Sequence, residues 1–295
     1  MKIFDTLRFV IAAASLVISA AVAPAQEVRP WMHSETGEAW RLGYRGQGTS
    51  ITVIDDFRSN YGIYGDLRGF TELRRHGDWT ALEASLIAPS AKVYAHDFGD
   101  TRTVKLQRGL NTLNLSYGMI AADGYSGVRW SQRESSIIGY ARDGKAVVVK
   151  AAGNDAVAVG AANASGQVDY LNRDLIGKQS AIFVGALDAH GTVGNKASLA
   201  WYSNTAGSNT TVQDQFLVVG VTGDITGLYG TSFAAPIVSG YASILGSKFT
   251  KATPTQIRNQ LLTTARQDTI TGYSADLHGR GEASIARALA PSAIR

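Results

Sequence analysis

The sequence predicts an α/β fold with a mostly parallel sheet covered by helices on both faces, and three observations carry that expectation. Short blocks of apolar and β-branched residues recur at 51–54, 92–98, 112–115, 146–149, 181–187 and 216–221. Most are too short for helices and read as buried strands. Between several of them lie stretches such as 79–88 and 131–141, where apolar positions recur three or four apart, and this alternation is the pattern of a parallel sheet clad in helices. Finally, 45% of the 295 residues are hydrophobic and only 18% are charged, which suits a protein with one large core.

Taken in order, residues 1–25 look separate from the fold. Lys2 and Arg8 precede an apolar stretch at 9–23 that closes on Ala23-Pro24-Ala25, the pattern of a cleaved secretory signal. The stretch is shorter than the roughly 18 residues expected of a spanning helix. Absence of cysteine removes both a disulfide framework and a lipid-bearing tether. The expectation is a secreted or periplasmic protein, free of the membrane once the signal is removed. The net charge of +4 is spread without a long basic run, which argues against nucleic acid as a partner.

Residues 26–39 form a polar lead-in containing Pro30 and Trp31, and the first strand follows Gly48. From residue 40 to 295 no repeat, low-complexity segment or linker intervenes, so a single domain is expected, with 156–179 as a looped insertion. A long Ala-rich helix starts near Ser232 and runs through Ile237, Val238, Tyr241, Ile244 and Leu245, a composition suited to burial. Pro236 near the end of its first turn is tolerable, because few amides there have intrahelical partners, and a bend is expected. Thr253 as cap, Pro254 at the first helical position, and Ile257, Leu261 and Leu262 along one face mark another helix.

Four segments carry candidate chemistry. The first strand ends in Asp55 and Asp56, and functional groups gather at the carboxyl ends of strands in open parallel sheets. His76, alone among the five histidines, precedes a glycine at the entry to a predicted helix; an imidazole there suits general-base work near neutral pH. Gly230-Thr231-Ser232 delivers a serine to the first turn of the buried helix, where free amides and the positive end of the helix dipole favour developing negative charge. Asn154 follows Gly153 at the end of the strand at 146–149 and has an amide to offer an oxyanion. Taken singly, each has an ordinary reading: a turn aspartate, a surface histidine, a helix cap, a turn asparagine.

In combination, Val-Ile-Asp55, His76-Gly77, Ala-Ala-Gly-Asn154 and Gly-Thr-Ser232-Phe-Ala-Ala-Pro236 resemble the aspartate, histidine, oxyanion and serine motifs of the subtilase family, in that family's order. The order Asp, His, Ser also differs from the two other well-known serine hydrolase arrangements. The resemblance spans about residues 40–289. It implies a subtilisin-like three-layer sandwich and a secreted serine endopeptidase acting on peptide or protein substrates. In that reading Ser232 is the nucleophile, His76 its base, Asp55 the group that orients the imidazole, and Asn154 an oxyanion donor. Leu115, Ser116, Tyr117 and Gly118, with Ala152 and Gly153, would bind the substrate backbone. No cofactor is required for the chemistry. Structural calcium is common in the family, but no oxygen-ligand spacing here assigns a site.

Several features depart from the family pattern. Asp78 and Trp79 follow His76-Gly77 where the family usually has Thr-His; Asp78 is expected to raise the histidine pKa or compete for it with Asp55. Asp56 is an alternative to Asp55, and the stretch from Asp55 to His76 is short and rich in Tyr and Gly. Only 26–49 precede the first strand after the leader, too few for the family's folding prodomain, which implies unaided folding, a trans-acting folding partner or inhibitor, or different control. A catalytically silent binding protein on the same fold is the alternative. An α/β-hydrolase esterase is disfavoured because Ser232 lacks a Gly-x-Ser-x-Gly elbow, and a dinucleotide fold because Gly43–Gly48 precede the strand rather than follow it.

Overall fold

The computed structural model describes residues 27–294; the leader expected at 1–25 lies outside them. In chain order the elements begin α1 (Ser34–Arg41), β1 (Thr49–Asp55), β2 (Ile63–Gly65), β3 (Glu72–Arg74), α2 (His76–Ile87), β4 (Lys92–Asp97), β5 (Leu110–Leu115) and β6 (Ile120–Ala122). There follow α3 (Gln132–Asp143), β7 (Val147–Ala151), β8 (Gln167–Asp169), α4 (Tyr170–Leu175), β9 (Ala181–Leu187), α5 (Thr210–Gln213) and β10 (Phe216–Gly220). The chain closes with α6 (Gly223–Thr226), α7 (Thr231–Lys248), α8 (Pro254–Thr263), α9 (Ala275–His278) and α10 (Ile285–Leu289).

The six apolar blocks of the sequence become one six-stranded sheet in the order β10-β9-β7-β5-β1-β4, and every pairing in it is parallel. Alternate side chains of each strand feed the two faces. Ile51, Val53, Val147, Val149, Ile182 and Val184 pack in one core with α2 and α7. Ile54, Leu113, Leu115, Val148, Phe183 and Val218 pack in the other, with residues of α3 and α4. Helices α2 and α7 approach closely because Gly240 has no side chain: a β-carbon there would lie 2.3 Å from Ile87 Cγ2.

Strand order fixes where a ligand can bind. From β1 the chain steps outward to β4, then returns across β1 to β5 and proceeds in the opposite direction. The crevice at such a reversal, outside the carboxyl ends of the strands, is where open α/β sheets bind ligands. Here those ends are Asp55 of β1 and Leu115 of β5.

Two segments differ from the sequence expectation. The insertion at 156–179 is not merely looped: β8 pairs antiparallel with β6, and Leu171 and Leu175 of α4 are fully buried. A short strand and a six-residue helix carry too little periodicity to stand out in sequence. The lead-in is likewise part of the core, since Trp31, Met32 and Ala39 are all buried, together with Trp40 directly after it. The two indole N–H groups reach distant carbonyls, Trp31 to Leu67 O at 3.0 Å and Trp40 to Ile87 O at 3.0 Å.

A buried polar cluster clasps this lead-in. His33 Nδ1 accepts from Glu35 N at 3.2 Å and caps α1. Glu35 pairs with Arg266 at 3.1 Å and accepts from Ser284 Oγ and Ala286 N at 2.9 and 3.1 Å. His190 Nε2 donates to Trp31 O at 2.7 Å, with its ring edge-on to His33 at 5.2 Å. Burial holds the His190 imidazole down to about 4 and lowers His33 as well, while burial raises Glu282 in the same cluster.

The sign of the resulting pH dependence follows from linkage. Between the ordinary histidine value and about 4, the unfolded chain binds a proton that folded His190 does not, so stability is lost as pH falls. The raised Glu282 contributes in the opposite sense, losing stability as pH rises. Acidification from pH 7 to 4.5 should therefore lower the unfolding free energy by roughly 2–3 kcal/mol through His190, read from urea midpoints. A His190→Gln variant, which keeps a donor for Trp31 O, should show a flatter profile; a slope as steep as the parent's would count against this origin.

Candidate active site

Asp55 lies at the end of β1 with its side chain only 3% exposed. Three donors converge on its carboxylate: His76 Nδ1 at 2.6 Å and Asp56 N at 2.7 Å on Oδ1, and Thr80 Oγ1 at 3.0 Å on Oδ2. A carboxylate only accepts, so the proton between it and the imidazole sits on His76 Nδ1, leaving Nε2 with its lone pair. Helix α2 makes the arrangement possible: His76 is its first residue, and Thr80, four positions later, lies on the same face. Asp56 is turned elsewhere, accepting from Arg58 N and Ser59 N at 3.2 and 2.9 Å, and the Ser59 hydrogen bonds hold its carboxyl below the usual range.

Asp78, the expected competitor for the imidazole, makes no hydrogen bond to His76; its carboxylate lies 3.7 Å from the Arg75 guanidinium. Trp79 is fully buried, and its Nε1 donates to Ile63 O at 2.9 Å. It anchors the β2–β3 hairpin inserted between Asp55 and His76. The unusual Asp78-Trp79 pair is thus explained by local architecture.

Ser232 is the second residue of α7, and Gly230 occupies the N-cap without supplying a side-chain bond. First-turn amides therefore point outward unpaired by the helix. The Ser232 hydroxyl donates to Ser116 O at 3.3 Å, while Ser116 Oγ donates to Ser232 O at 2.8 Å. The latter bond depends on Pro236. An ordinary residue at that position would donate its N–H to the carbonyl four residues back, which is Ser232 O; proline leaves it free. The His76 ring lies 5.6 Å, centroid to centroid, from that of Phe233, so the imidazole packs on the residue immediately after the serine.

Asn154 and Ser232 are joined through Thr231. Asn154 Oδ1 accepts from Thr231 N at 2.8 Å and Thr231 Oγ1 at 3.0 Å, and Gly153 N donates to Thr231 Oγ1 at 3.0 Å. With Oδ1 occupied, the Asn154 side chain has only its amide donors to offer. Gly153 must be glycine: its φ is +115°, and a β-carbon would sit 2.3 Å from Asn204 Nδ2.

A cavity of about 280 Å³ opens beside Ser232. Ser116, Tyr117, Gly118, Ala152 and Gly153 all line it, whereas Leu115 is fully buried in the sheet core and contributes no side chain. Leu115 was expected among the substrate-binding residues; its position on the inward-facing alternation of β5 takes it out of the lining. Tyr117 also donates its hydroxyl away from the cavity to Glu134 Oε1 at 3.3 Å. Burial pushes that phenol up, so it stays a neutral donor.

The sequence reading missed Thr80, Lys150, Asp169 and Asn172. The last three line the cavity, and Lys150 Nζ lies 3.0 Å from Asp169 Oδ2. A visible signal existed for Lys150, the one charged residue in an otherwise apolar strand. Among the described residues no group of three or more His, Asp or Glu side chains is arranged to hold a metal ion.

Comparison with known proteins agrees with this architecture. The subtilase family model (Peptidase S8) matches residues 80–282, more than half of the chain; the stretch includes Asn154 and Ser232 and begins after Asp55 and His76. Mycosin-5 of Mycobacterium tuberculosis is 39% identical over 92 residues, which are 28% of this chain and only 16% of that relative. The prenylagaramide maturation protease PagA superposes with a TM-score of 0.57 at 21% identity, covering 87% of this chain and 98% of its own. The MycP3 protease of the type VII (ESX-3) secretion system gives 0.55 at 19% identity, covering 90% of each chain. These structural likenesses establish the shared fold, and the family match establishes kinship: the chain belongs to the subtilase family of serine-type peptidases.

Proposed function

We propose that this chain is an exported serine endopeptidase in which Asp55, His76 and Ser232 act as a catalytic triad and Asn154 stabilises the oxyanion. The observation that carries the reading is the 2.6 Å bond from His76 Nδ1 to a buried Asp55 carboxylate, made beside the start of the helix bearing Ser232. Family membership supports peptide or protein as the substrate. Export is supported by the leader-like residues 1–25, and among the described residues no helix is long and apolar enough to cross a membrane.

The geometry suggests the sequence of events. Attack requires the Ser232 hydroxyl, which donates to Ser116 O in this structure, to turn to the Nε2 lone pair of His76. His76 removes the proton as the oxygen attacks the peptide carbonyl, and Asp55 stabilises the imidazolium that forms. The negative charge on the carbonyl oxygen is met by the Asn154 amide and by the Ser232 backbone N–H at the positive end of α7. His76 then returns the proton to the leaving amine as the C–N bond breaks, leaving an acyl-enzyme that water hydrolyses by the same steps. An extended substrate lies along Ser116, Tyr117 and Gly118 on one side of the cavity and Ala152 and Gly153 on the other, pairing its backbone as an added strand.

A fluorophosphonate probe should label the folded protein, and Ser232→Ala should abolish both labelling and casein hydrolysis; a folded parent that neither labels nor cuts would favour a silent binder. Asn154→Ala should lower kcat by about 10²- to 10³-fold, a magnitude known for subtilisin itself and carried over to this chain, and should also lower the urea midpoint, because it removes the acceptor for Thr231 N and Oγ1. Thr80→Val removes a donor from the buried Asp55 carboxylate while keeping the side-chain shape. It should cost about 1–3 kcal/mol of stability, seen as a lower urea midpoint, and shift the pH profile of kcat/KM; an unchanged profile would reduce Thr80 to a packing residue.

A further inference from the structure

We infer that the cavity beside Ser232 selects an uncharged carboxamide, the side chain of glutamine or asparagine, on the residue whose carbonyl is attacked. The inference rests on the peptidase reading. The cavity lies between Ser116–Gly118 and Ala152–Asn154 and reaches Ser232, so the side chain nearest the cleaved bond on the acyl side is the one that enters it.

The floor of this cavity is an ion pair held in fixed orientation. Asp169 caps α4, and its Oδ1 accepts from Met119 N, Leu171 N and Asn172 N at 2.9, 3.0 and 3.4 Å. With Oδ1 so held, Oδ2 is turned to Lys150 Nζ at 3.0 Å. Lys150 comes from within β7 and also donates to Ala151 O at 2.7 Å. Two of its three N–H groups are thereby directed, and among the described residues the third has no partner. The lysine side chain is 2% exposed and the aspartate 15%, so the acid is the member of the pair that a ligand meets first.

Each class of incoming side chain fares differently against this floor. A lysine or arginine would share Asp169 with the Lys150 ammonium, placing two cations on one carboxylate. An acidic side chain would meet the more exposed Asp169 before the lysine beneath it, and like charges at close range are disfavoured. A large apolar side chain would cover the Lys150–Asp169 pair and the buried Oδ1 of Asn172 while offering none of them a partner, and buried polar groups left without partners are costly. A carboxamide satisfies all of these conditions. Its NH₂ donates to Asp169 Oδ2 and its carbonyl accepts from Lys150, and the charge balance of the pair is undisturbed. Asn172 marks the same demand independently, since its Nδ2 donates to Ala152 O at 3.0 Å while its buried Oδ1 has no partner among the described residues.

The test uses acyl-tetrapeptide anilides identical except for the residue before the cleaved bond: Gln, Asn, Leu, Phe, Glu or Lys. The mature protein should cut the Gln or Asn substrate with a kcat/KM at least about tenfold above the other four, roughly the effect of one well-placed hydrogen bond. Lys150→Met should shift preference towards the Lys substrate by at least tenfold, because Asp169 is then unneutralised. Should that variant not fold, Asp169→Asn provides the complementary shift towards Glu. A parent enzyme that prefers Leu, Phe, Glu or Lys, or that hydrolyses casein and labels at Ser232 yet cuts neither amide substrate, overturns the inference and leaves the peptidase reading standing. Absence of labelling and of casein hydrolysis overturns both.

Discussion

The contact on which the site depends is the one that Thr231 makes between the end of β7 and the start of α7. Strand and helix arrive from opposite directions, and each presents backbone groups that its own element cannot satisfy. Thr231 resolves both ends at once by accepting from Gly153 N through its hydroxyl and donating to Asn154 Oδ1 through N–H and O–H. The side chain is fully buried, so these bonds form in a low-dielectric setting where leaving them unmade would be expensive. The consequence is directional. Asn154 presents donors, Ser232 is fixed one residue beyond the junction, and the cavity opens between them.

Charge inside this molecule is arranged by the same economy of partners. Asp55 is buried but has three donors, and the buried Lys150 faces the half-buried Asp169, each with backbone groups among its partners. Buried ion pairs contribute little net stability, because desolvation offsets most of the attraction. Their persistence in an apolar strand such as β7 is better explained by what they present to a ligand than by what they add to the fold. The clasp at the lead-in is a contrasting case: it too is polar and buried, yet its groups face one another and the core, and their consequence is the pH dependence of stability.

The strands and the principal helices were legible in the sequence because their signals are local. An uninterrupted apolar block such as 181–187 needs no partner to be read as a buried strand, and Thr253-Pro254 announces a helix start by capping chemistry alone. The positions of Asp55, His76, Asn154 and Ser232 could be named because motif and order reinforced one another. Thr80, Lys150, Asp169 and Asn172 could not, since each acquires its role from a residue far away: Asp55 for Thr80, and β7 for Asp169. The Asp78-Trp79 departure was visible, but its meaning lay in Ile63 and Arg75, which receive them. Similarly the lead-in read as polar filler until His190 and Arg266 were found against it. Local chemistry is written in the order of residues, whereas a polar cluster assembled from several segments is written only in their contacts.

Pro236 shows how a violation of a local rule can serve the site. In the interior of a buried helix, proline costs a hydrogen bond and crowds the preceding turn, a penalty of about 3 kcal/mol or more in an ordinary setting. Here the carbonyl it abandons belongs to Ser232 and is taken by Ser116 Oγ, so the acceptor is not left unsatisfied. Ser116 in turn receives Asn114 Nδ2 at 3.0 Å, and Asn114 Oδ1 accepts from Ser239 Oγ, about two turns beyond Ser232 on the same helix. A bond lost within α7 is therefore replaced by a chain of side-chain bonds that ties α7 to β5 at the level of the reacting serine. The first turn of the helix is held by the sheet as well as by its own ladder. That attachment keeps Ser232 in register with the wall formed by Ser116–Gly118, because the carbonyl that Pro236 frees is held by the strand that leads into that wall.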